Sequence, residues 1–216
     1  MTNALVLNGS PSDGGASSAL ADHAASYLME KGATVVQLNM LAAMRMDISG
    51  LLNSCEAADL IVLSFPVFMG SLPSHVIEWM EIASQREGMG KGTAFLAVGQ
   101  GAHPSPAEVD PAIRCLEHFC RHIGWRWAGG LGMGMGLVLE KGPLERRRAA
   151  RHTVAGLDMA LEAVMKGEAT PEAARKRFSR RAKTTFAYLM FANRYWKRRS
   201  KRNRSHDRMM DRPLMR

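Results

Sequence analysis

Four short apolar runs constrain the fold of this chain more than anything else in it: "ALVLN" at 4–8, "ATVVQL" at 33–38, "DLIVLS" at 59–64 and "TAFLAV" at 93–98. None shows the polar–apolar alternation of a strand with one wet face. Continuous apolar strands are buried on both sides, which requires a parallel sheet with helices on each face. The intervening stretches fit. Residues 17–31 read as a helix closed by Gly32, 51–58 as helical, and 73–85 as a helix with Pro73 suited to its first turn. Residues 110–123 form a further helix that Gly124 can terminate, 125–131 a fifth strand, and 144–166 a long helix. The expected architecture is α/β, with a five-stranded parallel sheet.

The charge is divided unevenly along the chain. From residue 171 onward, 16 Lys and Arg face 3 acids, a balance of +13, whereas residues 1–170 carry 13 basic and 17 acidic residues, a balance of −4. We therefore expect a globular body over 1–167 and a basic helical tail over 168–216. Cys55, Cys115 and Cys120 lack the spacing of a disulfide framework, a zinc site or a redox pair, and read as buried reduced thiols. The N-terminus does not look like a signal peptide and no apolar run approaches the roughly 18 residues of a membrane span. The expectation is a cytoplasmic protein, peripheral at a membrane if the tail binds one.

Open parallel sheets bind ligands beyond the carboxyl ends of their strands, where the strand order reverses. The loops after Asn8, Ser64 and Val98 are therefore the informative ones. In the first, "NGSPSDGGASS", Gly9, Gly14 and Gly15 let the backbone wrap closely, and Ser10, Ser12, Ser17 and Ser18 offer hydroxyls at a helix N-terminus. Such a terminus seats a phosphate; the plainer alternative makes Ser17 an N-cap and the glycines a turn. The loop is neither GxxxxGK[ST] nor GxGxxG, so nucleoside triphosphate and dinucleotide readings are weak. The second loop, "SFPVFMGSLP", puts Pro66, Val67, Phe68, Met69 and Gly70 at a sheet edge where polar residues belong. A flat aromatic ligand explains this, as does core packing by Phe65 and Phe68. The third, "GQGAHP", again allows close backbone approach at Gly99, Gln100 and Gly101; His103 there is a lone loop histidine. "GGLGMGMG" at 129–136 lacks the strand–loop–helix context of a nucleotide site. Met40, Met44 and Met46 could border a pliable pocket.

Gly9-Ser10-Pro11 together with Gly15-Ala16-Ser17 resembles the phosphate loop of the flavodoxin-like NAD(P)H-dependent FMN reductases, a group that includes NAD(P)H:quinone oxidoreductases. Pro66-Val67-Phe68-Met69-Gly70-Ser71-Leu72-Pro73 is similar to the segment that lies along the isoalloxazine ring in that family. The resemblance runs over about residues 3–165. It implies a flavodoxin-like three-layer sandwich, FMN and NAD(P)H as cofactors, and hydride transfer from NAD(P)H toward a quinone, a free flavin or another acceptor. The cofactor-binding residues it implies are Ser10, Ser12, Gly15, Ala16, Ser17, Ser18, Pro66, Val67, Phe68, Met69, Gly70, Gly99, Gln100 and Gly101. It implies no acid–base residue of the protein's own and no metal, because the redox chemistry belongs to the flavin. Ser12 stands where the family usually has Arg, Ala16 where it has Asn, Phe68 where it has Tyr, Ile77 where a Lys is common, and Glu81-Ile82 where Asp-Arg is common. The different-class alternative is a flavin-binding electron carrier, or a membrane-associated interaction protein, without nicotinamide turnover.

In the tail, Phe178, Ala182, Phe186, Leu189 and Trp196 fall near one stripe of a single helix over 173–204, ringed by Arg177, Arg180, Arg181, Arg194 and Arg198. Its aromatic stripe is expected to be covered by the body or by a second subunit in a homo-oligomer, with an anionic membrane surface as the competing cover. Nucleic acid is the least favoured partner, after small-molecule acceptors and subunits.

Overall fold

The computed structural model describes residues 2–89, 92–139, 144, 148, 150–180, 185–208 and 211, without the side chains of residues 137, 138, 185, 187 and 188. Strands β1 (Asn3–Asn8), β2 (Thr34–Asn39), β3 (Leu60–Pro66), β4 (Ala94–Gln100) and β5 (Arg126–Met133) form one parallel sheet in the order β2-β1-β3-β4-β5. The order reverses between β1 and β3, where Asn8 pairs with Ser64 and Gly9 N–H continues the ladder to Ser64 O at 2.7 Å. This is the covered parallel sheet that the apolar runs implied, except that β2, at the sheet edge, is largely exposed; its strand order is the flavodoxin-like one that the resemblance implied.

Successive residues of the central strands feed opposite cores, which is why their runs carry no polar alternation. Val6, Val62 and Leu96 meet Leu20, Ala24 and Leu28 of α1 (Ala16–Glu30) and Leu157 and Leu161 of α5 (Arg151–Met165). On the other face, Leu7, Leu63 and Phe95 pack with α2 (Met40–Ala57), α3 (Ser74–Ser84) and α4 (Asp110–Ile123). That core holds an aromatic cluster in which Trp125 stacks on Phe95 at 5.7 Å and Trp79 lies 5.4 Å from Phe119. Gly124 ends α4 in the left-handed region at φ 81°, as expected of a C-terminal glycine.

Several boundaries depart from the sequence reading. The second helix begins at Met40, eleven residues before the expected Leu51, because the Asn39 side chain caps it by accepting from Ala42 N–H; Asp47 then kinks it with non-helical angles. Pro73 is the N-cap of α3 rather than a first-turn residue. Residue 144 lies in a short helical turn and α5 starts only at Arg151, so the first part of the expected long helix falls partly on residues outside the described set. Cys115 is exposed on α4, unlike Cys55 and Cys120, whose thiols burial pushes up to about 12.

The compact body continues past the expected limit at Gly167, to Arg181; residues Ala182–Arg216 form a second unit. Gly167 turns the chain at φ 80°, Thr170 N–H bonds Ala128 O at 2.7 Å, and α6 (Glu172–Phe178) packs along α5 with Phe178 fully buried. Gly156 makes this packing feasible, since a Cβ there would lie 2.4 Å from Phe178 N. The expected single tail helix is thus two: α6 in the body, and α7 (Thr185–Arg202) in the second unit. Ala182 and Arg181 lie outside the described residues.

Candidate functional site

The three loops selected from the sequence converge at the carboxyl ends of β1, β3 and β4. Val67 N–H bonds Gln100 O at 2.8 Å, joining the second loop to the third, and Gly101 N–H bonds Met133 O at 2.9 Å, joining the third to β5.

The first loop is organised around Asn8. Its Oδ1 accepts from Ser10 N–H at 3.0 Å and its Nδ2 donates to Ser18 Oγ at 2.9 Å. Ser18 Oγ also accepts from Gly14 N–H at 3.1 Å, and Ser10 Oγ from Ser12 N–H at 3.3 Å. With its acceptor capacity used in this way, the Ser18 hydroxyl keeps its proton for an incoming group. The N-cap of α1 is Gly15, and no side chain caps it, so the first N–H groups of the helix face the loop unsatisfied by the helix. A Cβ at Gly14 or Gly15 would meet nothing within 4 Å. The space is open for a ligand. The plainer role for Ser17 is excluded: it is fully inside α1, buried, with its carbonyl accepting from Ser64 Oγ at 2.9 Å and its Oγ from Gln100 Nε2 at 3.4 Å. Ser10 and Ala16 are likewise buried, whereas Ser12 is exposed.

A cleft of about 460 Å³ opens beside this loop, lined among others by Asn8, Gly14, Ser18 and Asn39. Two carboxylates border it, and both are engaged: Asp13 accepts from Asn39 Nδ2 at 2.8 Å and Asp22 from Gln37 Nε2 at 2.6 Å. No Lys or Arg lies in residues 9–18. Residues 9–18 thus offer helix-terminal N–H groups and hydroxyls, donors that suit an anion, and no full positive charge of their own.

The second loop divides the residues that sequence left ambiguous. Phe65, Pro66 and Val67 are buried in the core, while Phe68 and Met69 are exposed, Met69 almost completely at 99%. Phe68 and Ser71 exchange backbone hydrogen bonds of 3.0 Å around a tight turn, with Met69 at φ 53° and Gly70 at φ 79°. Two positive φ values in succession suit Asn-Gly far better than Met-Gly. An exposed thioether in a strained backbone conformation marks a residue held for something other than packing. Met69→Asn is expected to stabilise the fold by about 1 kcal/mol, read as a rise in melting temperature.

The third loop is stitched to itself. Glu108 Oε2 accepts from His103 N–H at 3.0 Å, and His103 Nδ1 accepts from Ser105 N–H at 3.1 Å. Gly99 is required by the protein's own packing, because a Cβ would sit 2.3 Å from Val109 Cγ1 and 3.0 Å from the Phe65 ring; a Cβ at Gly101 would meet only the Glu108 carboxylate, the end of a flexible side chain, at 2.6 Å. The Gly-rich stretch after residue 128 is explained in the same way. It is mostly strand β5, and Gly134 lies against the His103 carbonyl of this loop.

Sequence reasoning missed His75. It is buried in the first turn of α3, and its Nε2–H donates to Gly9 O at 3.1 Å, tying α3 to the first loop. Nothing local signals this contact, which spans 66 residues. Burial holds the imidazole below its usual 6.5, outweighing the Gly9 hydrogen bond and nearby Glu78, with Arg45 acting in the same direction as burial. The unfolded chain then binds a proton more readily than the folded one. Stability should be constant with respect to this group above pH 6.5 and fall as pH drops below it; melting curves of His75→Asn should lose that part of the acid-side decline. His75 also lines a second cleft of about 490 Å³ between α2 and α3, with Pro11, Met44 and Arg45; Met40 is buried and Met46 is exposed.

Residues 2–110, which contain all three loops, match the family described as NADPH-dependent FMN reductase. No curated protein matches the chain. Among solved structures it is similar to an NADH:FMN oxidoreductase in its apo form, with TM-score 0.60 and 17% identity over 81% of this chain and 94% of that one. It is also similar to a putative quinone reductase from Klebsiella pneumoniae, with TM-score 0.59 and 14% identity over 79% and 88%. A third is an FMN-dependent NADH-azoreductase from Bacillus anthracis solved with FMN, with TM-score 0.54 and 13% identity over 75% and 99%. At these identities the likeness is one of fold.

Proposed function

Because the chain belongs to the NADPH-dependent FMN reductase family, we propose that the three-loop cleft holds FMN and serves a reductase that passes electrons from NAD(P)H to a small planar acceptor, a quinone or a free flavin. The observation that carries this reading is the uncapped N-terminus of α1, with open space at Gly14 and Gly15 and the exposed apolar pair Phe68 and Met69 at the neighbouring strand end. One feature suits a phosphate and the other a flat ring. Bound there, FMN supplies the redox chemistry between nicotinamide and acceptor.

The chain's own residues position and shield. The backbone N–H groups of Ala16, Ser17 and Ser18 and the Ser10, Ser12 and Ser18 hydroxyls orient the phosphate. Phe68 and Met69 cover ring surface and exclude water from it. The Met69–Gly70 turn is fixed by the Phe68–Ser71 hydrogen bonds, and with no side chain at Gly70 its backbone N–H groups would be free to bond ring heteroatoms. His75 is a positioning residue that holds the Gly9 carbonyl.

The test is steady-state oxidation of NADH and NADPH by the purified protein, with FMN titrated in and menadione or excess FMN as acceptor. Saturable turnover that depends on FMN is expected. Flavin binding without nicotinamide oxidation would favour an electron carrier instead.

A further inference from the structure

We propose that α7 is a surface-seeking helix that docks this protein on anionic phospholipid bilayers. The helix is divided along its length. Residues 186–192 (FAYLMFA) carry no charge, whereas Arg194, Lys197, Arg198, Arg199, Lys201 and Arg202 crowd its second half. Phe186, Leu189 and Trp196 share one face, at spacings of three and seven residues, with Arg194, Arg198 and Arg202 turned away from it. Phe186, Leu189, Met190, Tyr195 and Trp196 are each more than half exposed. No acid occurs from Ala173 to His206, and among the described residues no ion pair involves the six cations of α7.

Charge complementarity selects the occupant. Arg198, Arg199 and Arg202, with Tyr195 and Asn203, line a groove of about 520 Å³, and Arg199 Nη1 donates to Tyr195 OH at 2.7 Å. Guanidiniums in that array fit phosphodiester headgroups bidentately. The apolar first half has no counterpart on a nucleic acid backbone, but it fits the acyl boundary just below headgroups. Tyr195 and Trp196 sit at the start of the basic half, between Arg194 and Lys197, and aromatic side chains of this kind prefer the membrane interface. Among the described residues no helix is long and apolar enough to cross a membrane, so docking is lateral.

The experiment is co-sedimentation of the full chain with vesicles of pure phosphatidylcholine, or of phosphatidylcholine with about one third phosphatidylserine. Binding to the anionic vesicles should be at least about tenfold stronger, weaken as salt rises, and shift the fluorescence of Trp196 to the blue. The combined variant Arg198→Glu, Arg199→Glu, Arg202→Glu should lose that preference by about tenfold or more. The pair Leu189→Ser, Trp196→Ser should lose the spectral shift. FMN binding by both variants, measured in parallel, reports that the body is folded. Equal affinity for the two vesicle types, or anionic binding that survives both variants, would overturn the proposal. So would retention of a duplex oligonucleotide without vesicle binding, or a fall in oligomeric mass in the Leu189, Trp196 pair without it, which would assign the helix to a second copy.

Discussion

Gly15→Asp should raise the stability of this protein and nearly abolish its affinity for FMN. Gly15 is the N-cap of α1 at φ −89°, ψ −174°, angles open to any residue, and a Cβ there meets nothing within 4 Å. An Asp carboxylate at that position accepts from the next turn's N–H groups and places a negative charge on the positive end of the helix dipole. Glycine is already a tolerated N-cap, so the change gains only about a few tenths of a kcal/mol from capping and about 0.3–1 kcal/mol from the added charge, or roughly 1–4 °C in melting temperature for a body of this size. The same carboxylate fills the seat proposed for the phosphate. Removing two charge-assisted hydrogen bonds and adding a like charge should lower FMN affinity by roughly a hundredfold or more. Riboflavin, which has no phosphate, should bind nearly as before. Flavin fluorescence titrations measure both ligands, and equal losses for the two would place the phosphate elsewhere. Met69→Asn completes the comparison, since it alters ring contact and should affect both flavins alike.

The second large effect concerns the edge of the body. Phe178 is fully buried, in the same core cluster as Leu157, Leu161 and Ala174. Its replacement by Ala should cost about 3–5 kcal/mol, lowering the melting temperature by roughly 10 °C. Truncation after Gly167 removes α6 entirely and should be at least as damaging. Truncation after Arg181 should leave melting temperature and flavin affinity near those of the full chain. A body that tolerates loss of α6 but not of the residues beyond Arg181 would contradict the division seen here.

Much of this architecture was legible in the sequence because the relevant signals are local. Runs such as "DLIVLS" and "TAFLAV" can be buried only in the middle of a covered parallel sheet, and β3 and β4 are there. Asp110–Ile123 with Gly124 beyond it carries its own stop signal, and that helix was read to the residue. The choice of loops followed from topology, since ligands meet parallel sheets at the strand ends.

The tertiary structure decided what depends on partners distant in sequence. Phe65 and Phe68 are three residues apart and chemically identical, yet one is core and the other exposed, because the turn at Met69–Gly70 carries the chain away from the sheet. Ser17 and Ser18 are adjacent, but helical rotation turns Ser17 toward Ser64 and Gln100 and leaves Ser18 at the loop. Gly99 and Gly15 look alike in sequence; packing against Val109 requires the first, and open space surrounds the second. The contact of His75 with Gly9, and the return of α6 onto α5 that buries Phe178, join segments whose sequences carry no record of each other. Composition and periodicity determine which segments form elements and which faces they bury, since those are properties of neighbouring residues. Which side chain reaches a ligand and which reaches the core depends on the packing of whole elements, and only the folded chain sets that.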